Sequence, residues 1–304
     1  MDLQNAPIAV TGATGFLGRY IVDALLKRNA RVIGVVRNPG RVPDLQKKCA
    51  ELRKADLGDK EALARGFEGA KAIVSNAALY TTSPVGQGWK EHLRTNIEGA
   101  RNVFEAAAKA GVKRLVQVSS CAVYKGGDPG GIREDHPKLT MEDRRAFRSY
   151  FISKAVSEQI AWDLAKEHGL EVTSVRPSGI YGAFDHNFMP YFRAAVWSPL
   201  VPLRIQPCMV YGGDVAEAIA LILEKDSSIG KAYNTAGDPS TLGDLIEGWR
   251  RAGGGALPFR IPLPVSFKMA VDSGLAEREL GWKRTPPEQA FRETLALEKA
   301  AARA

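Results

Sequence analysis

The stretch Ile8–Leu26, IAVTGATGFLGRYIVDALL, constrains the fold more than any other part of the chain. A short apolar strand over Ile8–Val10 is followed by Gly12, Gly15 and Gly18 and then by apolar side chains at helical spacing. Glycines let the backbone approach a pyrophosphate, and a helix N-terminus favours negative charge. The order of strand, glycine turn and helix therefore predicts a dinucleotide site. The spacing differs from G-x-G-x-x-G, so the turn alone also fits a helix merely packed on a strand.

Composition excludes several classes of protein. The chain has 304 residues, of which 45% are hydrophobic and 25% charged, so neither a disordered nor a fibrous protein is expected. Three cysteines (Cys49, Cys121 and Cys208) stand far apart without a C-x-x-C pair, which predicts free thiols in a reducing compartment. The four histidines form no H-x-x-H or H-E-x-x-H pair, so no metal site is predicted.

Charge and hydropathy bear on partners and location. The net charge is +8, but lysine and arginine are scattered without a block of five, so nucleic acid is not expected as a partner. The positive charge favours a phosphate-rich cofactor instead. Neither a signal peptide nor a transmembrane span is evident, and we expect a cytoplasmic protein.

Strands and helices alternate through the first part of the chain. Strands are predicted at Ile8–Val10, Arg31–Val36, Glu51–Ala55, Ala72–Ser75, Arg114–Ser119 and Glu171–Pro177. Helices are predicted between them, among them 60–67, 89–110 and 147–168. This alternation predicts an α/β fold with a doubly wound parallel sheet of the Rossmann type.

The alternation breaks after Pro177. Residues 178–213 read as irregular and rich in aromatic side chains, whereas a helix over 214–224 and a strand over 232–235 predict a return to the sheet. We therefore expect a cofactor-binding domain over 1–177 with a return segment at about 214–236. A small interleaved substrate lobe, made of 178–213 and 237–304, would close over the strand ends.

The pair Tyr150 and Lys154 is the second chemical feature. Positions four apart share one face of a helix, so a phenol and an ammonium can meet in one pocket. An ammonium stabilises phenolate and lowers the pKa of tyrosine toward the range useful in catalysis. Upstream, the strand at Leu115–Ser119 delivers Ser119 and Ser120 to the same sheet edge, where a hydroxyl can hydrogen-bond a substrate oxygen.

Together these features resemble the short-chain dehydrogenases/reductases, and within them the extended, epimerase/dehydratase-like group. The resemblance covers nearly the whole chain. Its motifs are TGATGFLG (11–18), ADL (55–57), SNAA (75–78), TN (95–96), VSSCAVY (118–124), the Tyr150/Lys154 pair, VRPSGIYG (175–182), DVAEAI (214–219) and ELGW (279–282).

The resemblance implies roles for individual residues. Tyr150 would be the general acid/base, Lys154 would lower its pKa and bond the nicotinamide ribose, and Ser120 would orient the substrate oxygen. Asn96 matches an asparagine that supports the lysine in many relatives, although a buried structural amide is the alternative. The implied cofactor contacts are Gly12, Thr14, Gly15, Phe16, Leu17, Gly18, Arg37, Asp56, Leu57, Asn76, Ala77, Ala78, Lys154 and Pro177.

Arg37 bears on the choice of cofactor. It follows the strand Arg31–Val36, where NAD-preferring relatives place an acidic residue for the ribose 2′-hydroxyl. A guanidinium can instead bind a 2′-phosphate bidentately. We expect NADP(H) rather than NAD(H), with Arg41 as a second contact. The alternative is that Arg37 is only solvated and the cofactor is NAD(H).

The substrate is the least determined part. An asparagine typical of nucleotide-sugar epimerases is replaced by Ser178, and the Asp-Glu pair of sugar dehydratases is replaced by Cys121 and Ala122. The run VVRNP (35–39) and the aromatic segment 184–197 resemble the dihydroflavonol-reductase and hydroxysteroid-dehydrogenase branches, whose substrates are fairly apolar. Candidate substrate contacts are Thr81, Ser120, Ser178, Phe184 and Phe188, although the aromatic side chains also fit the core of the lobe.

These observations predict an NADP(H)-dependent oxidoreductase that interconverts a ketone and a secondary alcohol on a small molecule. A nucleotide-sugar epimerase or dehydratase is the first alternative. A dinucleotide-sensing protein without catalysis is the second, and the presence of Ser120, Tyr150 and Lys154 argues against it. Homodimers are common in the family that the chain resembles, although no residue here proves one.

Overall fold

The computed structural model of the protein describes residues 1–80, 89–126, 131–143 and 148–302. Its strands, numbered in chain order, are β1 (Pro7–Thr11), β2 (Arg31–Val36), β3 (Glu51–Lys54), β4 (Ala72–Ser75), β5 (Arg114–Val118), β6 (Glu171–Pro177), β7 (Gly179–Tyr181), β8 (Leu200–Val201), β9 (Met209–Tyr211), β10 (Ala232–Thr235) and β11 (Ile261–Pro262).

The helices are numbered in the same way. They are α1 (Phe16–Leu26), α2 (Pro43–Lys48), α3 (Lys60–Phe67), α4 (Trp89–His92), α5 (Gly99–Lys109), α6 (Ser149–His168), α7 (Phe188–Val196), α8 (Gly212–Glu224), α9 (Leu242–Arg251), α10 (Gly274–Leu280) and α11 (Pro287–Ala301). A π-helical segment, Leu93–Glu98, joins α4 to α5.

A seven-stranded parallel sheet is the centre of the fold. Its strand order is β10-β6-β5-β4-β1-β2-β3. The chain adds β2 and β3 on one side of β1 and then crosses to add β4, β5 and β6 on the other side, as in a Rossmann-type fold. The predicted return to the sheet is confirmed, because β10 pairs in parallel with β6. This order brings the carboxyl ends of β1, β4, β5 and β6 to one edge.

Apart from the edge strand β3, the strands of the sheet are largely buried on both faces because helices cover both sides. Along β1, Ile8 and Val10 pack in the core beneath α1 and α8, whereas Ala9 packs in the core beneath α3, α5 and α6. The same alternation explains why β1, β2 and β4 are short continuous apolar runs in the sequence. The predicted α/β class is confirmed.

The segment 178–213 is more regular than predicted. It contains α7 and three short strands, and the expectation of an irregular stretch is wrong there. The carboxylate of Asp185 accepts hydrogen bonds from the backbone N–H groups of Asn187, Phe188 and Met189 and so begins α7. Proline is tolerated in the first turn of a helix, so Pro190 does not interrupt α7. In the sequence, however, a proline at this position argues against a helix. In the described part of the chain, every helix is too short or too polar to span a lipid bilayer.

Candidate active site

The turn between β1 and α1 requires glycine at two positions. Gly12 has φ +65, and a Cβ there would lie 2.9 Å from the Cα of Ala77. A Cβ at Gly18 would lie 2.1 Å from the carbonyl oxygen of Gly12. At Gly15 the nearest atom would be 3.3 Å away, and this residue is exposed. Close packing thus occupies one side of the turn, and the side at Gly15 is open to a ligand.

Thr11 anchors this turn to the neighbouring strand. Its Oγ1 accepts hydrogen bonds from the backbone N–H groups of Asn76, at 3.0 Å, and Ala77, at 3.1 Å. The side-chain amide of Asn76 donates to the carbonyl oxygen of Gly12 at 3.2 Å. Asn76 and Ala77 therefore lie at the glycine turn. Thr11 is not among the contacts predicted from the sequence, although its place directly before Gly12 was a usable signal.

The N-terminus of α1 fits a pyrophosphate. The first N–H groups of a helix have no partner within it, and neither a side-chain cap at Gly15 nor an acidic residue in the first turn competes for them. Thr14 and Phe16 are half-buried, and Leu17 is buried. A side chain at Gly15 would extend into the open side of the turn. Because glycine leaves this space free beside the first N–H groups of α1, the backbone forms a cradle of the kind that a dinucleotide phosphate needs.

The ends of β2 and β3 carry the predicted contacts to the adenosine half. Arg37 is exposed directly after β2, and in the described ranges no carboxylate lies within ion-pair distance of it. The carboxylate of Asp56 accepts a hydrogen bond from the N–H of Gly58 at 2.8 Å, which shapes the turn after β3. Leu57 packs against Gly99 of α5. The side chain of Arg41 and all of Thr81 lie outside the described residues.

Ser120, Tyr150 and Lys154 come together at the carboxyl end of β5. Ser120 lies beside the phenol of Tyr150, and its Oγ accepts a hydrogen bond from the N–H of Ala122 at 3.1 Å. The ammonium of Lys154 donates to the carbonyl oxygen of Val118 at 2.8 Å. Ser119 is buried, and its N–H donates to a backbone carbonyl oxygen of β6. Of the two adjacent serines, Ser120 is the one placed at the phenol.

Burial changes the acid-base properties of this pair. Burial lowers the pKa of Lys154 to about 8, against the opposing charge of Glu158. Burial also raises the pKa of Tyr150 above its usual value, the nearby Tyr80 adds to this, and the neighbouring hydroxyl of Ser120 opposes it. The expected lowering of the tyrosine pKa by Lys154 is therefore not seen in this structure. Desolvation is the larger effect, and Tyr150 is protonated near neutral pH.

Asn96 lies in the π-helical segment opposite α6. Its amide accepts from the N–H of Leu79 at 2.7 Å and donates to the carbonyl oxygen of Leu79 and the hydroxyl of Ser153, both at 3.0 Å. Its side-chain contacts are thus structural. A small polar cavity between Asn96, Ala78 and Lys154 has room for a water molecule, so a water-mediated link to the lysine is compatible with this geometry.

The candidate substrate contacts are spread over different environments. Ser178 is buried with its hydroxyl beside the thiol of Cys208, and Pro177 pairs with β10. Phe184 has φ +69 and lies beneath the guanidinium of Arg19, 5.3 Å from the ring centre. The Phe188 ring stacks on Phe192 at 5.5 Å.

Most of the aromatic side chains in and around α7 pack into one cluster of rings. Phe192 stacks on Phe291 with ring centres 5.1 Å apart, and Trp249 meets both rings edge-on. Phe192 and Phe291 are fully buried. The aromatic side chains of α7 thus belong mainly to the hydrophobic core, which continues from here to β1, α1 and α8, and Phe184 and Phe188 are half-buried at its margin.

Comparison with known proteins identifies a family and several similar chains. A model of the NAD dependent epimerase/dehydratase family matches residues 8–236. Cinnamoyl-CoA reductase 1 of Arabidopsis thaliana is 30% identical over 259 residues, covering 79% of this chain and 73% of the relative. Dihydroflavonol 4-reductase of the same plant is 26% identical over 270 residues, covering 80% and 68%.

A solved structure shares the whole fold. UDP-glucose 4-epimerase of Thermotoga maritima, solved with UDP-glucose, has a TM-score of 0.76 and 21% identity over 97% of this chain and 99% of that one. At this identity the likeness concerns the fold alone.

Proposed function

The chain belongs to the NAD dependent epimerase/dehydratase family, the extended group of short-chain dehydrogenases/reductases that use NAD(P), and from this premise we propose that it is an NADP(H)-dependent ketoreductase. Its reaction interconverts a ketone and a secondary alcohol on a fairly apolar small molecule. The observation that carries the proposal is the proximity of Ser120 to the half-buried, protonated phenol of Tyr150 at the sheet edge.

The protonation state of the site suits reduction. NADP(H), when bound at the glycine turn, supplies the hydride. Tyr150 holds the proton that a carbonyl oxygen needs as it becomes an alcohol, and burial keeps the phenol in this donating form. The hydroxyl of Ser120 orients the same oxygen and stabilises negative charge developing on it. Lys154, cationic below its pKa of about 8, contributes positive charge to the pocket.

Two observations support the cofactor and the substrate class. Arg37 is exposed and has no carboxylate partner in the described ranges, so its guanidinium is available to a 2′-phosphate. The ring of Tyr80 meets that of Tyr150 edge-on with ring centres 4.8 Å apart, which gives the surroundings of the phenol an apolar character that suits a ketone without charge near the reacting carbon. Dihydroflavonol 4-reductase among the relatives is consistent with such a substrate.

The test is NADPH consumption with a panel of apolar ketones, compared between the wild type and Tyr150→Phe. We expect net oxidation of NADPH by the wild type. In the variant, turnover should fall by roughly two orders of magnitude or more, as is typical for a missing general acid, while NADPH binding is unchanged. Equal turnover by the variant would refute the role of Tyr150. Conversion of a nucleotide-sugar without net consumption of NADPH would instead support an epimerase.

A further inference from the structure

A buried ion pair lies directly behind the catalytic residues. The guanidinium of Arg176, at the end of β6, donates from Nη2 to Glu158 Oε1 at 2.5 Å and from Nε to Oε2 at 2.9 Å. The side chains of Glu158 and Arg176 are 0% and 3% exposed. Lys138 adds a second cation 3.2 Å from Oε1. Burying such charges is costly unless their geometry is good, and here both carboxylate oxygens are bonded.

Arg176 also holds the segment that carries Ser120. Its Nη1 donates to the phenol oxygen of Tyr124 at 2.7 Å and to the carbonyl oxygen of Glu134 at 2.9 Å. Its own carbonyl oxygen accepts from the thiol of Cys121 at 3.0 Å. Tyr124 and Cys121 follow Ser120 in the same short segment. One guanidinium thus ties the Ser120 segment to α6.

The position of Glu158 on α6 is equally specific. Tyr150, Lys154 and Glu158 are spaced four residues apart, which places them along one face of the helix. The negative charge of Glu158 raises the pKa of Lys154 against the lowering caused by burial. Arg176, by hydrogen bond and charge, keeps the pKa of Glu158 low although burial opposes this.

The ionisable groups around Lys154 come from several elements. Tyr150 and Glu158 lie on α6 itself, and Arg176 comes from β6. The segment between β5 and α6 contributes Cys121, Tyr124, Glu134 and Lys138, and Tyr80 and His92 lie beside the ring of Tyr150. Among these, Glu158 is the carboxylate that acts on Lys154.

We propose that Glu158 and Arg176 are positioning residues: together they fix α6 against the Ser120 segment, and the carboxylate of Glu158 keeps Lys154 cationic during catalysis. This inference rests on the proposed function for its kinetic consequence. Its electrostatic part concerns Lys154 alone and can be measured without turnover.

The direction of the effect follows from the charges. In Glu158→Gln the negative charge is lost while the cations of Arg176 and Lys138 remain, so the pKa of Lys154 falls further below about 8. Loss of a neighbouring opposite charge typically shifts a pKa by roughly 1 to 3 units. Lys154 then loses its proton at lower pH, and the alkaline limb of the pH profile of kcat moves to lower pH.

The experiment compares Glu158→Gln with Glu158→Asp, which keeps the charge. Titration of lysine labelled with ¹³C at Cε, read by NMR and assigned with Lys154→Met, gives the pKa directly in the full chain. We expect a fall of roughly one unit or more in Glu158→Gln and a smaller change in Glu158→Asp. The pH profile of NADPH-dependent reduction should shift in the same order.

A matched control separates this role from general destabilisation. Arg114 is a buried arginine at the opposite end of the sheet, where it bonds Thr173 and Ser228, so Arg114→Met should lower stability but leave the pKa of Lys154 and the pH profile unchanged. If Glu158→Gln does not fold, the double variant Glu158→Gln/Arg176→Met removes the unpaired guanidinium and is titrated instead. A smaller fall in the pKa of Lys154 is then expected, because one cation is lost together with the carboxylate while Lys138 remains.

An unchanged pKa of Lys154 in a folded variant lacking the Glu158 charge would overturn the proposal, as would an equal shift in Arg114→Met. A shifted pKa without any ketone turnover in the wild type would leave the electrostatic inference standing and refute the proposed function.

Discussion

Arg37 offers a direct test of cofactor selection. It follows β2 at the sheet edge, is exposed, and has no carboxylate partner among the described residues, whereas Arg19 in the nearby helix is paired with Asp44. A hydrogen bond to a charged group contributes about 1.5 to 3 kcal/mol. Solvent screening at an exposed site lowers this, so we expect roughly 1 to 2 kcal/mol from a 2′-phosphate contact. That range corresponds to about a 5- to 30-fold change in Kd.

The assay is isothermal titration calorimetry of NADP⁺ and NAD⁺ binding to the wild type, Arg37→Ala and Arg31→Ala. Arg31 is exposed at the opposite end of the same strand, so its removal lowers the net charge equally without touching the site. We expect Arg37→Ala alone to weaken NADP⁺ and to leave NAD⁺ unchanged. An unchanged affinity for NADP⁺, or an equal loss for both cofactors, would refute the assignment of Arg37 to the 2′-phosphate.

Three further substitutions probe the turn and the lobe. Gly18→Ala should lower the free energy of unfolding by about 1 to 3 kcal/mol in urea denaturation, because its Cβ would overlap the Gly12 carbonyl. Gly15→Ala would place its Cβ 3.3 Å from the same carbonyl oxygen, so it should cost less stability than Gly18→Ala yet weaken NADP⁺ binding in calorimetry, and normal binding would contradict the cradle. Phe291→Ala should cost about 3 to 5 kcal/mol, since its ring is buried between Tyr181 and Phe192. Phe259→Ala, at a 72% exposed ring, serves as its control and should change stability by less than about 0.5 kcal/mol.

Regular periodicity made the first half of the chain predictable. The bounds of β2, β4 and β6 agree with the sequence prediction. For β2 and β4 the reason is that strands buried on both faces are short continuous apolar runs between turn residues, whereas β6 also buries Thr173, Ser174 and Arg176. The helix predicted over 89–110 is also present, but a π-helical segment interrupts it where Asn96 turns its amide toward Leu79. A hydrogen bond between a side chain and a distant backbone group, such as that of Asn96 with Leu79, does not change the periodicity of apolar residues, so the sequence does not reveal it.

The acid-base chemistry was only half predictable. Spacing placed Tyr150 and Lys154 on one helical face, but it did not give the depth of burial that raises the pKa of Tyr150. Likewise the spacing of four residues between Lys154 and Glu158 is visible in the sequence. The pairing of Glu158 with Arg176 is not, because Arg176 lies 18 residues further on in a strand. Ion pairs between distant segments depend on how the elements pack.

The sequence by itself determined the Rossmann-type sheet, the glycine turn and the identity of the residues at its edge, because each follows from local spacing and backbone sterics. Only the tertiary structure decided that α7 is a helix packed into an aromatic core, that Thr11 anchors the turn, and that Glu158 and Arg176 join α6 to the Ser120 segment. These features arise from burial and from contacts between residues far apart in the chain. Desolvation acts only once the fold has excluded water, and that step sets the protonation of Tyr150 and Lys154.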